Sequence, residues 1–550
     1  MRRVLTLLCL ALALPVLGIG AAWFGLDADS WATLRHQFGS VLPAYAAQSA
    51  GLTAGVAVGV TLVGSATAAA VSLFLFPGRR VFEWALLLPL AMPAYVLAYA
   101  WTDALQFSGA LQTALRNALG LRGPLWPDVR SLGGAIGLFV LALYPYVYLL
   151  ARTALGDRAP HLLEAARLLG AGPRRRLLAV ALPLARPAVA AGVALAVMET
   201  LADYGVGAYF GLTTFSTGIL RAWLVMDDRM AAAQLASVLL AVTALLLWAE
   251  RRARRQLQFV SARGGGHDAA DARPQTLRGL AAGGAFVLCG LPVLLGFVLP
   301  VGWLVHLLLQ EVRYAEYGLP LARFMQWAWA SFRLSGLAAL LATALALAIG
   351  FSLRPAGGAG RRPGALGAAA GLLGLGYALP GAVVAIGVLA PVGLLQARWP
   401  ALPLAALVTG TAGGLMLAYL ARFSSVALQS VQAGYARISP NVDETGRLLG
   451  SGRRRIFWQL HLPLLQRSVA AAALLVFVDV MKELPATLML RPFGSDTLAV
   501  VAYNLARDER LGEAALPSLA IVAVGLVPVL LLSRALRGGL SHALGGGSAA

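Results

Sequence analysis

The sequence predicts an all-α integral membrane protein of about 12 transmembrane helices in two homologous six-helix halves. Three observations carry that prediction. Of 550 residues 59% are hydrophobic and 12% charged, with a mean hydropathy of +0.76; soluble domains run nearer half apolar and a quarter charged. The apolar residues gather into runs of about 20 or more, enough to cross about 30 Å of hydrocarbon. A charged loop also recurs at a fixed distance along the chain, so the halves are copies of one another.

Taken in order, the apolar runs bounded by charge or turn residues predict spans at 4–25, 53–76, 82–102, 132–151, 187–207, 231–249, 280–309, 332–353, 365–395, 402–421, 468–490 and 515–533. The first combines Arg2-Arg3, an apolar run and small residues, a pattern that also fits a cleaved secretory signal. An uncleaved span keeps the count even and is preferred. Pro93 in LPLAMPAY and Pro380 in YALPGAVV are expected to kink or interrupt their spans. Gly55-x3-Gly59 and Gly133-x3-Gly137 read as close helix packing. Residues 1–249 form the first half, 250–278 a charged, glycine-rich cytoplasmic linker, and 279–550 the second half.

Arginine sets the orientation. The net charge is +20, from 44 basic and 24 acidic residues. With the N-terminus inside, thirty of the 44 basic residues fall on cytoplasmic segments, so both termini are expected in the cytoplasm. The excess charge thus orients a membrane protein, and nucleic acid is not needed to explain it. Lys482 is the one lysine and follows Met481, so the chain has no P-loop. Cys9 and Cys289 lie in apolar runs and suggest inert buried thiols. The six histidines lack ligand spacing, so no dedicated high-affinity metal site is expected.

The repeat is explicit. Residues 164–184 read EAARLLGAGPRRRLLAVALPL and residues 444–464 read ETGRLLGSGRRRIFWQLHLPL, an offset of 280. Beyond the loop Glu199 matches Asp479 and Asp203 matches Glu483. With small shifts Phe210-Gly211 matches Phe493-Gly494, and Asp227-Asp228-Arg229 matches Asp508-Glu509-Arg510. Both loops, 156–186 and 434–467, fall on the arginine-rich side. Each reads as a short helix with a glutamate near its start and ended by Gly170 or Gly450. Small residues at Ala165, Ala166 and Gly446 permit close approach of another surface.

The spacing of Glu164, Ala165, Ala166, Gly170 and Pro183 resembles the cytoplasmic loop of binding-protein-dependent ABC importer permeases. The second copy keeps Glu444, Gly450 and Pro463 but has Thr445-Gly446 in place of the alanines. The resemblance implies the ABC importer permease fold, with a fused pair of permease halves in a bacterial inner membrane. It further implies two copies of a cytoplasmic ABC ATPase made as a separate chain and a periplasmic substrate-binding protein. ATP and Mg would be used by that ATPase, with no cofactor bound by this chain and no covalent chemistry performed by it. VFVDVMKELPATLMLRPFGSDTLAVVAYNLA (476–506) and METLADYGVGAYFGLTTFSTGI (198–219) resemble the ferric-iron permeases of this family; its other members carry thiamine, polyamines or phosphonates.

The residues give an independent view of the cargo. Glu199 lies roughly 20 Å along a helix from Arg186, and Asp479 roughly 18 Å from Arg467, which places both near mid-membrane. A charge there costs about 2.5–3.5 kcal/mol on insertion scales and is expected to face the bundle interior. Glu199 and Asp203 are four apart, as are Asp479 and Glu483, so each pair should share a helical face. The pseudo-twofold would bring the pairs together at the interface between halves. With Lys482 the one cation among them, and Tyr204 adding a phenol, such a lining favours a cation and suits a hard metal ion. Two other readings stand: a structural ion-pair network, with Glu199 and Asp203 meeting arginines such as Arg221, or a gate. A secondary transporter using these carboxylates for an ion gradient is the competing class.

Overall fold

The computed structural model describes residues 2–21, 23, 28–262, 275–314, 318–354 and 364–544. Among them eleven helices are long and apolar enough to cross a membrane, and the count reaches 12 if the bent pair Arg79–Ala91 and Ala94–Leu119, folded by 91°, is one broken span and not a re-entrant loop. The protein is a multi-pass, all-α membrane protein with the two-copy pattern of an ABC permease.

The duplication read from the loops extends to the elements. Helix Leu42–Leu73 has its counterpart in Leu321–Leu353, and Leu182–Ala202 in Leu462–Lys482. The π-helical turns Leu177–Ala181 and Phe457–His461 are 280 residues apart. Both precede a proline, Pro183 or Pro463, at the start of the following helix. Proline has no N–H and its ring crowds the carbonyl four residues back, so a regular α-ladder is disfavoured and a widened turn takes its place. The non-glycine residues with left-handed backbone, Asp227 and Glu509, are 282 apart. That pairs Asp227 with Glu509, one residue displaced from the match the sequence suggests.

Five expected spans differ in detail. Pro93 and Pro380 interrupt their spans outright, each extended (ψ 143° and 141°) and each preceded by a short 3-10 turn, Leu88–Ala91 or Gly376–Ala378. The expected span 365–395 is therefore helix Ala365–Leu373, a turn, and helix Gly381–Arg398. The expected span 402–421 is displaced to Ala412–Ala436, because residues 404–409 make a separate short helix and the Thr411 hydroxyl caps the next by accepting from the Gly413 N–H. The expected spans 187–207 and 468–490 end early, at Ala202 and Lys482. Residues 250–262 of the expected linker continue helix Arg229–Ala262, whereas 263–274 lie outside the described residues. A two-residue parallel strand pair, Phe74–Leu75 with Gln275–Thr276, carries no signal in the apolar pattern.

The chain folds into two compact units, each drawing on both halves of the sequence. One comprises Met1–Pro43, Phe215–Leu240 and Pro320–Val501; the other comprises Ala44–Thr214, Ala241–Leu319 and Ala502–Ala550. In the first unit helix Arg2–Ala21 crosses Gly381–Arg398 so tightly that a Cβ on Gly387 would lie 1.9 Å from the Pro15 carbonyl oxygen. In the second unit Gly55 and Gly59 admit Ile136 and Val140, with added Cβ atoms 2.5 and 2.2 Å from them, as the small-residue spacing predicts. Gly137 meets nothing within 4 Å, so the second such motif is not a packing seam. Gln112 closes the base of a short loop by donating to the Leu105 carbonyl at 3.0 Å.

Candidate functional site

Two pairs of features correspond between the copies: the loops and the helix breaks. In the first loop Gly170 is left-handed (φ 79°), the Ala171 N–H donates to the Ala166 carbonyl at 2.9 Å, and the Gly170 N–H donates to that of Arg167 at 2.9 Å. In the second, Gly450 (φ 76°) has the same bonds, Ser451 to Gly446 and Gly450 to Arg447, both at 2.9 Å. This is the αL helix ending that glycine allows without a Cβ clash. It leaves two adjacent leucines standing out of each tip: Leu168 and Leu169 are 84% and 86% exposed, Leu448 and Leu449 88% and 80%. They lie within the RLLG that both copies share, so the signal was present in the sequence, which points first to the glutamates.

The two loops are built differently before the glycine. The second contains a separate helix, Pro440–Leu448, whose Ser439 hydroxyl accepts from the Asn441 N–H at 3.3 Å. The expected short helix of the first loop is instead the end of the long helix Leu132–Leu168. Ala159 stands where Ser439 provides the cap, so no side-chain acceptor favours a break there. Ala165 is exposed and Ala166 half-buried, while the side chain of Glu164 lies outside the described residues. Glu444 is exposed; Gly446 is buried, and a Cβ there would lie 3.3 Å from Ile456 Cγ1. That tight approach gives a physical reason for glycine where the first copy has Ala166.

The second paired feature is a break after each of the helices Leu182–Ala202 and Leu462–Lys482. Asp203 and Glu483 do not share a helical face with Glu199 and Asp479, as their spacing suggests. Each sits just past the end of its helix in extended backbone, with ψ 131° and 123°. Each then caps the short helix that follows. The Val206 N–H donates to Asp203 Oδ1 at 2.8 Å, and the Ala486 and Thr487 N–H groups donate to Glu483 Oε2 at 3.1 and 3.3 Å. A carboxylate is favoured at such a helix start by the orphan N–H groups and the dipole.

The surroundings of the two breaks diverge. Glu483 is buried and pairs with Arg422 at 2.7 Å, a partner absent from the sequence expectation. Arg422 lies within helix Ala412–Ala436, one of the helices long and apolar enough to cross a membrane, and not in the loop after it to which the orientation count assigns it. Ala142 occupies its position in the first half. The Pro380 break closes on the same pair: a Cβ on Gly381 would lie 2.1 Å from Glu483 Oε1 and 3.0 Å from Arg422 Nη1. The first half has Ala94 after its proline, and the shorter Asp203. Gly381, Arg422 and Glu483 thus form one matched set, whose counterparts in the sequence of the first half are Ala94, Ala142 and Asp203. Near Asp203 lie phenols instead: Tyr503 donates to Tyr204 at 3.1 Å, and Tyr99, fully buried, packs its ring 4.8 Å from Tyr209. Glu199, Asp203 and Tyr204 belong to one compact unit and Asp479, Lys482 and Glu483 to the other; Glu199, Asp479 and Lys482 are half-buried, and Arg221 is exposed.

Residues 60–255 match the family of binding-protein-dependent transport system inner membrane components. The chain is a permease subunit of the ABC-importer type. Its similarity to an Fe(3+)-transport system permease protein of Haemophilus influenzae runs over 488 residues at 26% identity, 87% of both chains. The inner membrane ABC transporter permease protein YdcU of Escherichia coli is 36% identical over 137 residues, 23% of this chain and 44% of that one. A molybdenum transport system permease protein of Escherichia coli is 29% identical over 130 residues, 24% of this chain and 55% of that one. As a permease subunit the protein is a multi-pass inner-membrane protein that serves transport. Among the described residues no group of three His, Cys, Asp or Glu side chains could hold a metal, and Cys9 and Cys289 are free and buried.

Proposed function

We propose that this permease carries a cation, ferric iron, from periplasm to cytoplasm, with both of its termini in the cytoplasm. The observation that carries the cargo assignment is the similarity to an Fe(3+)-transport permease along 87% of both chains, which takes in both halves. The intramembrane carboxylates support it: Glu199, Asp203, Asp479 and Glu483, with Tyr204 and Lys482, are the proposed lining of the translocation path.

The energy would come from two copies of a separate cytoplasmic ABC ATPase, one seated on each loop, with a periplasmic substrate-binding protein delivering the ion. The docking elements are Glu164, Ala165, Ala166, Gly170 and Pro183 in the first copy and Glu444, Gly450 and Pro463 in the second. To these the exposed pairs Leu168-Leu169 and Leu448-Leu449 are added. Leucines this exposed, on loops otherwise rich in arginine, suit insertion into an apolar groove of a partner.

The test is reconstitution in liposomes with the ATPase and binding protein. Import of ferric iron that requires ATP is expected. Import of thiamine or a polyamine without iron overturns the cargo assignment, and uptake driven by an ion gradient without ATP overturns the energy source.

A further inference from the structure

The docking reading treats the two loops as equivalents, yet the second is tied to the membrane helices by a cluster of polar and charged side chains whose positions in the first copy hold apolar residues. Asp443, in the first turn of helix Pro440–Leu448, is 5% exposed. Arg354, at the end of helix Leu321–Leu353, donates from Nε to Asp443 Oδ2 at 2.7 Å. His461, the last residue of the π-turn, is 1% exposed and its Nε2 meets Asp443 Oδ1 at hydrogen-bond distance. Arg354 also donates from Nη2 to the Ile438 and Ser439 carbonyls at 3.1 and 3.2 Å, which ties the start of the short helix to the same span. The Tyr435 ring closes the cluster, 5.4 Å from the Arg354 guanidinium and 5.5 Å edge-on from His461.

One carboxylate therefore joins the loop helix to Leu321–Leu353 through Arg354 and to the helix after His461, and the Tyr435 ring of helix Ala412–Ala436 packs on both of its partners. In the first copy the corresponding residues are Phe74, Leu163 and Ala181, and none can carry a charge. There the loop is tied differently: Phe74 lies in the short strand paired with Gln275, and Arg176 donates to the Gln275 side chain at 3.2 Å, an exposed contact.

We propose that Asp443, Arg354 and His461 are positioning residues that transmit motion of the second loop to its membrane helices, so that the two ATPase-docking loops are mechanically unequal. This rests on the docking of ATPases by the loops. A buried, directional charge network has few alternative geometries, so a displacement of helix Pro440–Leu448 must carry its partners with it or break the network. Exposed leucines would still hold the ATPase if the network were lost. The network's role is coupling, and docking is separate from it.

The experiment uses the full complex of this chain, its ATPase and its binding protein, with two variants: Asp443→Asn, and the triple Arg354→Phe, Asp443→Leu, His461→Ala, which installs the first copy's residues. The readouts are ATPase retained on purification and the stimulation of ATP hydrolysis by the binding protein, neither of which depends on knowing the cargo. Both variants should retain the ATPase, while stimulation falls by about tenfold, the size of an ordinary coupling between sites. Stimulation at the level of the unaltered chain in the triple variant would overturn the proposal, because apolar filling would then suffice. Loss of the ATPase in both variants would overturn it too, since the charges would serve docking. Failure of the docking reading itself shows separately: a Leu448→Ser, Leu449→Ser chain with Asp443 intact would still bind its ATPase in full.

Discussion

Arg422 and Glu483 meet at 2.7 Å inside one compact unit, where a helix break and a neighbouring span would otherwise each bury an unpaired charge. Removing one partner of such a pair costs about 3–5 kcal/mol, whereas replacing both is near neutral. Arg422→Met is therefore expected to lower the melting temperature of the purified protein sharply, and Arg422→Met with Glu483→Gln to recover most of the loss. Equal melting of the single and double variants would show that the pair contributes nothing.

Glycine at 381 follows from that pair. A Cβ there would lie 2.1 Å from Glu483 Oε1, so Gly381→Ala should destabilise by about 1–3 kcal/mol, the usual cost of overpacking. Adding Glu483→Asp, which restores the shorter carboxylate of the first half, should relieve part of it. Thermal melting of the two variants checks the order.

The carboxylates at the two breaks should behave differently when neutralised. Glu483→Gln disturbs a buried ion pair and is expected to reduce stability along with transport. Among the described residues Asp203 makes no ion pair, so for Asp203→Asn transport should fall several-fold while melting temperature and ATPase retention stay close to those of the unaltered chain. Measuring uptake and melting on both variants decides the matter; a parallel loss of stability in both would make the two breaks equivalent.

The left-handed glycines give a graded prediction. A residue with a Cβ at φ 76° costs about 1–2 kcal/mol, and asparagine tolerates it better than alanine. ATPase binding should weaken in the order Gly450, Gly450→Asn, Gly450→Ala, with up to about tenfold between the ends. An alanine variant that binds as well as glycine would remove the turn from the docking argument.

Much of this was legible in the sequence, and the rest was hidden for specific reasons. Hydropathy finds the spans because lipid forces long apolar helices, and the repeat finds the loops because their glycines and prolines are fixed by backbone geometry. The breaks at Asp203 and Glu483 were hidden, since apolar residues continue on either side and hydropathy cannot tell a helix from two short ones. Arg422 was hidden by counting: an arginine near the end of an apolar run looks like a loop residue until Glu483 is placed beside it. Asp443 and His461 lie at the two ends of the second loop motif, but the first copy has Leu163 and Ala181 at their places, so the repeat does not single them out, and Arg354 joins them only through the fold.

The account rests on the leucine tips receiving an ATPase. Burying a leucine is worth about 1.5–3 kcal/mol, so two lost from each loop should weaken binding by more than about 100-fold. The most direct measurement is the amount of ATPase that co-purifies with the chain carrying Leu168→Ser, Leu169→Ser, Leu448→Ser and Leu449→Ser, compared with the unaltered chain. The account predicts near-complete loss from a variant that still folds and melts normally. Undiminished ATPase on that variant would contradict it.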